Sequence, residues 1–236
     1  MTAETAAAVF VDAIDTAIAS ATGQLGEDEQ RLAVAVFRLL AAGDPVSIPA
    51  AAEAAALPAS RVRSVLRSWP AVFWNDHDQV VGFWGLALTG MPPHRVQHAG
   101  ADLSAWCAWD PLFLARIIGD LDVATADPVT GEAITYHIGR DGTISAASHP
   151  HGVLSFLRPD QPWDDNVMAA FCHYVLHFAS PATAQRWTAG HLGTFVISLG
   201  DADELARRHT ARFFGTAVAA SPGVTGSVLG PAACGC

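Results

Sequence analysis

Residues 45–69 read PVSIPAAAEAAALPASRVRSVLRSW, the cadence of two short helices around a tight turn. Ser47 is placed to cap a helix opening at Pro49, where a fixed φ suits the first turn and a missing N–H costs nothing. Leu57-Pro58-Ala59 supplies the turn, and Ser60 is expected to cap a second helix that carries Val62, Val65 and Leu66 inward. The next stretch, AVFWNDHDQVVGFWGLAL at 71–88, reads as a β-hairpin turning at Asn75–Gln79. Together these predict a winged-helix unit.

Toward the N-terminus, Val9, Phe10, Ala13, Ile14, Ala17 and Ile18 recur at helical spacing over residues 4–20, and Gly23 and Gly26 break the pattern. A second helix is expected over Glu27–Ala42, with Leu32, Val36, Leu39 and Leu40 on one face and Gly43 as its stop. Toward the C-terminus, residues 90–101 read as a connector and 103–118 as mostly helical. Residues 121–157 have β character, with turns at Val129-Thr130-Gly131 and Asp141-Gly142. Trp163–Phe171 reads as a short helix or turn, and CHYVLHFAS at 172–180 alternates like a strand. Ser180 is placed to cap a helix over 181–190, 194–199 is a strand, and 201–214 is a helix with an acidic start. Strands and helices here do not alternate as βαβ units. The expected class is α+β: an N-terminal winged-helix-like domain, 1–89, packed on a mixed α+β domain, 90–215, with a loose tail, 216–236.

The chain has 236 residues, 51% hydrophobic and only 15% charged, enough apolar material for a substantial core. Its formal net charge of −10 argues against nucleic acid as the main partner, since phosphate neutralisation supplies most duplex affinity. The first twenty residues carry Glu4, Asp12 and Asp15 without a basic residue, unlike a signal peptide, and no apolar run is long enough to span a bilayer. A cytoplasmic chain is expected, with reduced thiols. Its four cysteines, Cys107, Cys172, Cys234 and Cys236, are too sparse for a disulfide scaffold and turn attention to metal binding or catalysis.

In Trp106-Cys107-Ala108-Trp109-Asp110, a helix would bring Cys107 and Asp110 to one face, where a carboxylate can take or relay a thiol proton. Cys107 could equally be a small buried hydrophobe. In Phe171-Cys172-His173-Tyr174, adjacent strand residues point to opposite faces, so Cys172 and His173 do not readily share a ligand. The C-x₂-C spacing of zinc sites is absent; two separate thiols and a carboxylate suit a soft two-coordinate metal. Trp106 and Trp109 flank Cys107 and could wall an apolar pocket. The terminal Cys234-Gly235-Cys236 could chelate or pass on a soft metal, or be incidental.

LSAWCAWDPLFLARIIG at 103–119 and FCHYVLHFASPATAQRW at 171–187 resemble the two active-site segments of the organomercurial (alkylmercury) lyases, within a similarity spanning about residues 28–212. The resemblance implies that Cys107 and Cys172 bind mercury and that Asp110 handles protons, in a reaction that turns R–Hg⁺ into R–H and Hg²⁺ as part of mercury detoxification. It implies no organic cofactor, cellular thiols to deliver substrate and remove product, and mercuric reductase as an acceptor. Two positions depart from the family pattern. Ser104 stands where some relatives have Tyr, and Asp127 where relatives often have a further, non-catalytic Cys. Rival readings are a metal-sensing winged-helix regulator, for which Arg61, Arg63 and Arg67 speak, a soft-metal binder without turnover, and a Cys–His thiol hydrolase.

Overall fold

A computed structural model describes residues 3–90 and 93–219. The chain opens with α1 (Ala3–Thr22) and α2 (Glu27–Leu40). Glu27, Asp28 and Glu29 sit at the positive end of the α2 dipole, and the Glu29 carboxylate accepts from the Gly26 N–H at 3.0 Å. Then come α3 (Ile48–Ala55) and α4 (Ala59–Ser68). Ser47 caps α3 as expected, its hydroxyl accepting from Ala50 N–H at 3.3 Å. Ser60 caps nothing: α4 starts at Ala59, with Pro58 in the cap position and its carbonyl accepting from Val62 N–H. Val62, Val65 and Leu66 do face inward. Strands β1 (Val72–Trp74) and β2 (Val80–Phe83) form the expected hairpin, closed by Asn75 N–H to the Gln79 carbonyl.

The hairpin is one edge of a larger sheet. After β3 (Leu86–Ala87) come β4 (Arg95–His98), β5 (Ala101–Ala105), α5 (Asp110–Ile118), β6 (Leu121–Ala126), β7 (Ala133–Ile138) and β8 (Ile144–Ser145). These strands form one antiparallel sheet in the order β1-β2-β3-β5-β4-β6-β7-β8. Two expectations give way here. The connector at 90–101 contains β4, a central strand in which Val96, between exposed Arg95 and Gln97, is the one buried apolar residue. Residues 103–105 are strand rather than helix, because they complete the ladder between β3 and β4.

A second sheet, β10-β9-β11, is built from β9 (Val153–Leu157), β10 (His177–Phe178) and β11 (Thr194–Ser198). Between β9 and β10 lie α6 (Val167–Ala170) and a 3₁₀ turn, Cys172–Tyr174; α7 (Pro181–Thr188) precedes β11, and α8 (Leu199–Phe213) and α9 (Gly215–Ala219) follow it. The expected strand over 172–180 shrinks to β10. Ser155 is the reason: its N–H keeps one rung to the Leu176 carbonyl at 3.0 Å, but its hydroxyl donates to the Tyr174 carbonyl at 2.7 Å and accepts from Leu176 N–H at 3.1 Å, so a side chain takes the place of further backbone rungs. Ser180 caps α7 and Ser198 caps α8, which therefore starts two residues before Asp201.

All nine residues of α5 are buried, which marks it as a core helix rather than an amphipathic one. Packed between α2, α8 and the larger sheet, it carries its first residue, Asp110, into the interior. Arg208–Asp12 and Arg212–Asp15 ion pairs fasten α1 to α8. Among the described residues, no helix is long and apolar enough to cross a membrane.

Candidate active site

Cys107 sits in the turn between β5 and α5, not on a helix face. The turn is closed from both ends: Asp110 N–H donates to the Cys107 carbonyl at 3.3 Å, and Cys107 N–H donates to Asp110 Oδ2 at 2.6 Å. The predicted pair therefore meets, but through a pre-helical turn. The second segment is tied to the first by Ala108 N–H donating to the Val175 carbonyl at 3.0 Å, with Cys172 at the head of its own 3₁₀ turn. Both cysteines are buried and free of disulfide. The Cys107 thiol hydrogen-bonds with Cys172, so the two sulfurs and the Asp110 carboxyl are neighbours. His173, next in sequence to Cys172, is exposed.

Burial pushes the Cys107 thiol well up, and its hydrogen bond to Cys172 and the charge of Asp110 push the same way. A thiol held in that state keeps its proton until a metal displaces it. Burial also raises Asp110, to about 7, against the opposing hydrogen bonds from Cys107 and Trp106. A carboxyl at that value exchanges protons near neutrality. Tyr136 is raised by burial and by the charges at Cys107 and Asp110, so it stays a neutral phenol.

Asp110 and Cys172 open onto a cavity of about 150 Å³. Trp69, Trp84, Trp106, Trp109, Phe113 and Phe171 form much of its apolar wall, and Ala21, Thr22 and Leu25 bring the α1–α2 link to it. The expectation that Trp106 and Trp109 wall a pocket thus holds. Ser104, one of the two departures from the family pattern, lies away from this cavity, in a separate groove with Arg95 and Asp122. Sequence reasoning missed two residues. His209 on α8 lines the cavity, and its only sequence signal is its place on the apolar stripe with Leu205, Ala206 and Phe213. Gly85 lines it too and abuts Asp110.

Asp127 is buried and accepts four hydrogen bonds: Val129 and Thr130 N–H on Oδ1, Ala179 N–H and the Thr183 hydroxyl on Oδ2. Burial alone would raise its pKa, but these bonds outweigh it and hold the carboxyl below its ordinary range. It ties the β6–β7 turn to the start of α7. Arg63 and Arg67, offered for a DNA-reading face, both pair with Asp78, and Arg67 lies over the Trp74 ring. Among the described residues no group of three or more His, Cys, Asp or Glu is arranged to hold a metal ion. Cys234 and Cys236 lie outside the described residues.

Two buried thiols beside an ionisable acid, next to an aromatic cavity, are an arrangement chemically able to bind a soft electrophile. A family model described as alkylmercury lyase matches residues 89–211. An alkylmercury lyase of Staphylococcus epidermidis is 34% identical over 179 residues, 75% of this chain and 81% of that protein. One of Bacillus cereus is 34% identical over 193 residues, covering 81% and 86%. One of Pseudomonas putida is 30% identical over 182 residues, covering 77% and 84%. The solved mercury-bound form of MerB2 has the same fold, with a TM-score of 0.65 at 18% identity over 88% of this chain and 98% of that one. The chain belongs to the alkylmercury lyase family.

Proposed function

We propose that this enzyme cleaves the carbon–mercury bond of R–Hg⁺ by protonolysis, with Cys107 and Cys172 as mercury ligands and Asp110 as the proton carrier. The observation that carries this is the meeting of two buried thiols beside a carboxyl poised near neutrality. One thiol binds R–Hg⁺ and loses its proton to solvent. The second passes its proton to Asp110 as its sulfur joins mercury. Thiolate donation shifts electron density onto carbon, and Asp110 returns the proton there as the Hg–C bond breaks, its electron pair staying with carbon. The balance is R–Hg⁺ plus two thiols giving R–H, mercury held by two sulfurs, and one proton.

The reading requires no organic cofactor. Cellular thiols would deliver the mercurial and lift out Hg²⁺, with Cys234 and Cys236 as a relay toward an acceptor such as mercuric reductase. It places the enzyme in the cytoplasm, where such thiols are reduced. We further propose that residues 1–89 form a winged-helix-like unit that covers the cavity instead of reading DNA. The α1–α2 link at the cavity and the internal pairing of Arg63 and Arg67 support this. Residues 90–215 would then be the catalytic unit, sharing one sheet with the first, and 216–236 a tail. Incubation with phenylmercury and excess thiol, with benzene measured, tests the activity. No benzene above the thiol-only control would refute it.

A further inference from the structure

The cavity beside the dithiol is apolar except for a few groups, and two buried indole nitrogens in its wall have no hydrogen-bond partner among the described residues. Two other indole N–H groups in its wall are satisfied: Trp84 Nε1 donates to the Pro70 carbonyl at 2.8 Å and Trp109 Nε1 to the Ala202 carbonyl at 3.0 Å. By contrast, Trp106 Nε1 and Trp163 Nε1 are buried with no hydrogen-bond partner among the described residues, although both side chains line the cavity. Trp106 is only 6% exposed. His209 adds an imidazole to the wall. Its ring, 5% exposed, makes no hydrogen bond within the described residues and is boxed by Trp109, Phe113, Phe213 and Phe214, with centroids 5.3 to 5.8 Å away. Burial among those rings holds its pKa down at about 3, so the imidazole is neutral and offers one donor and one acceptor.

A buried donor left unpaired costs about 1–3 kcal/mol, and buried polar groups in folded proteins are nearly always matched. Two such indole nitrogens, with an imidazole beside them that bonds to nothing among the described residues, mark the cavity as built for a guest that carries the missing partners. Size and charge limit the guest. A volume of about 150 Å³ is that of a cavity able to hold a single benzene ring. An anionic substituent would face Asp110 and Asp164 on the same wall and would be buried without a cation. A neutral hydroxyl fits better: it accepts from an indole N–H and donates to, or accepts from, the imidazole. We infer that Trp106, Trp163 and His209 select mercurials whose organic group is an aromatic ring bearing a small neutral hydrogen-bonding substituent, a phenolic hydroxyl being the simplest. This rests on the reading of the cavity as the seat of the organic group.

The test compares kcat/KM for 3- and 4-hydroxyphenylmercury with that for phenylmercury, in wild type and in His209→Phe. Taking the ratio of hydroxylated to plain ring within each protein cancels partial misfolding. Comparing that ratio between proteins cancels the electronic effect of the hydroxyl. For the faster isomer, a fall of about fivefold or more is expected in His209→Phe, the scale of one lost buried hydrogen bond. A smaller fall, or a rise, overturns the inference and leaves the nitrogens to solvent. Trp163→Phe, at the half-exposed edge of the cavity, should move the ratio the same way and serves if His209→Phe does not fold. If wild type cleaves neither ring, the reading of the cavity as a mercurial site fails first. If it cleaves both with an unmoved ratio, only the present inference falls.

Discussion

Gly85 packs so closely on Asp110 that a Cβ at position 85 would stand 2.8 Å from both Cγ and Oδ1 of the carboxyl. The same glycine has φ +102, a conformation that side chains resist, and its carbonyl accepts from Trp106 N–H at 3.1 Å. The β2–β3 corner is thus a wall that fixes where the acid sits.

Gly85→Ala is therefore expected to displace Asp110 and to strain the corner. Cleavage should fall about tenfold or more, with a stability loss of about 1–3 kcal/mol. Denaturant titration and benzene release measure the two. Wild-type turnover in this variant would mean the acid's position is not critical.

Asp110→Asn should bind mercury nearly as well as wild type yet cleave about 10²-fold more slowly, the usual scale for losing a placed acid–base group. The same variant has a pH signature. Because burial raises the folded carboxyl to about 7, the native state holds a proton that the unfolded chain has released by about pH 4. Wild type therefore loses stability as pH rises from about 4 to about 7, and the amide, which cannot ionise, does not. The advantage of Asp110→Asn over wild type should grow across that window. A difference that is flat with pH would show that the acid is not held neutral.

Cys107→Ala and Cys172→Ala should each abolish hydrocarbon release from phenylmercury, since one remaining sulfur cannot both hold mercury and supply the second thiolate. Full activity in either variant would remove that residue from the mechanism.

Asp127 should behave with the opposite pH sign to Asp110. Its four hydrogen bonds hold the folded pKa down, so its contribution is present above the unfolded value and is lost as pH falls through the folded one. Asp127→Ala should cost about 2–4 kcal/mol near neutrality, and the gap to wild type should narrow in acid. A gap that widens in acid would contradict this account.

Truncation after Gly230 removes Cys234 and Cys236. A single turnover should be unchanged, while transfer of mercury to mercuric reductase should slow. A truncated chain unable to cleave once would put the tail in the active site.

Much of this was legible in the sequence, for identifiable reasons. Ser47, Ser180, the 71–88 hairpin and the 194–198 strand carry local signals, in capping, alternation and turn residues, that tertiary packing did not override. Cys107 and Asp110 were legible as a pair because their separation of three survives a change from helix to turn. The errors share one cause. Strand β4, the shortened β10 and the role of Gly85 depend on partners remote in sequence: the β5 and β6 ladders, the Ser155 hydroxyl and the Asp110 carboxyl. His209 stayed hidden because an imidazole on an apolar helix stripe reads as core until the cavity beside it is seen.

The two sulfurs come from positions 107 and 172, with a large part of the fold strung between them. Mercury held by both would close that stretch into a loop, as a disulfide does. Cross-linking a loop of this length removes chain entropy from the unfolded state equivalent to about 4 kcal/mol. The product would act as a staple, making the loaded protein harder to unfold than the free one. Turnover would then depend on an outside thiol that can pull the staple out, and the step that completes detoxification would be the one the fold most resists.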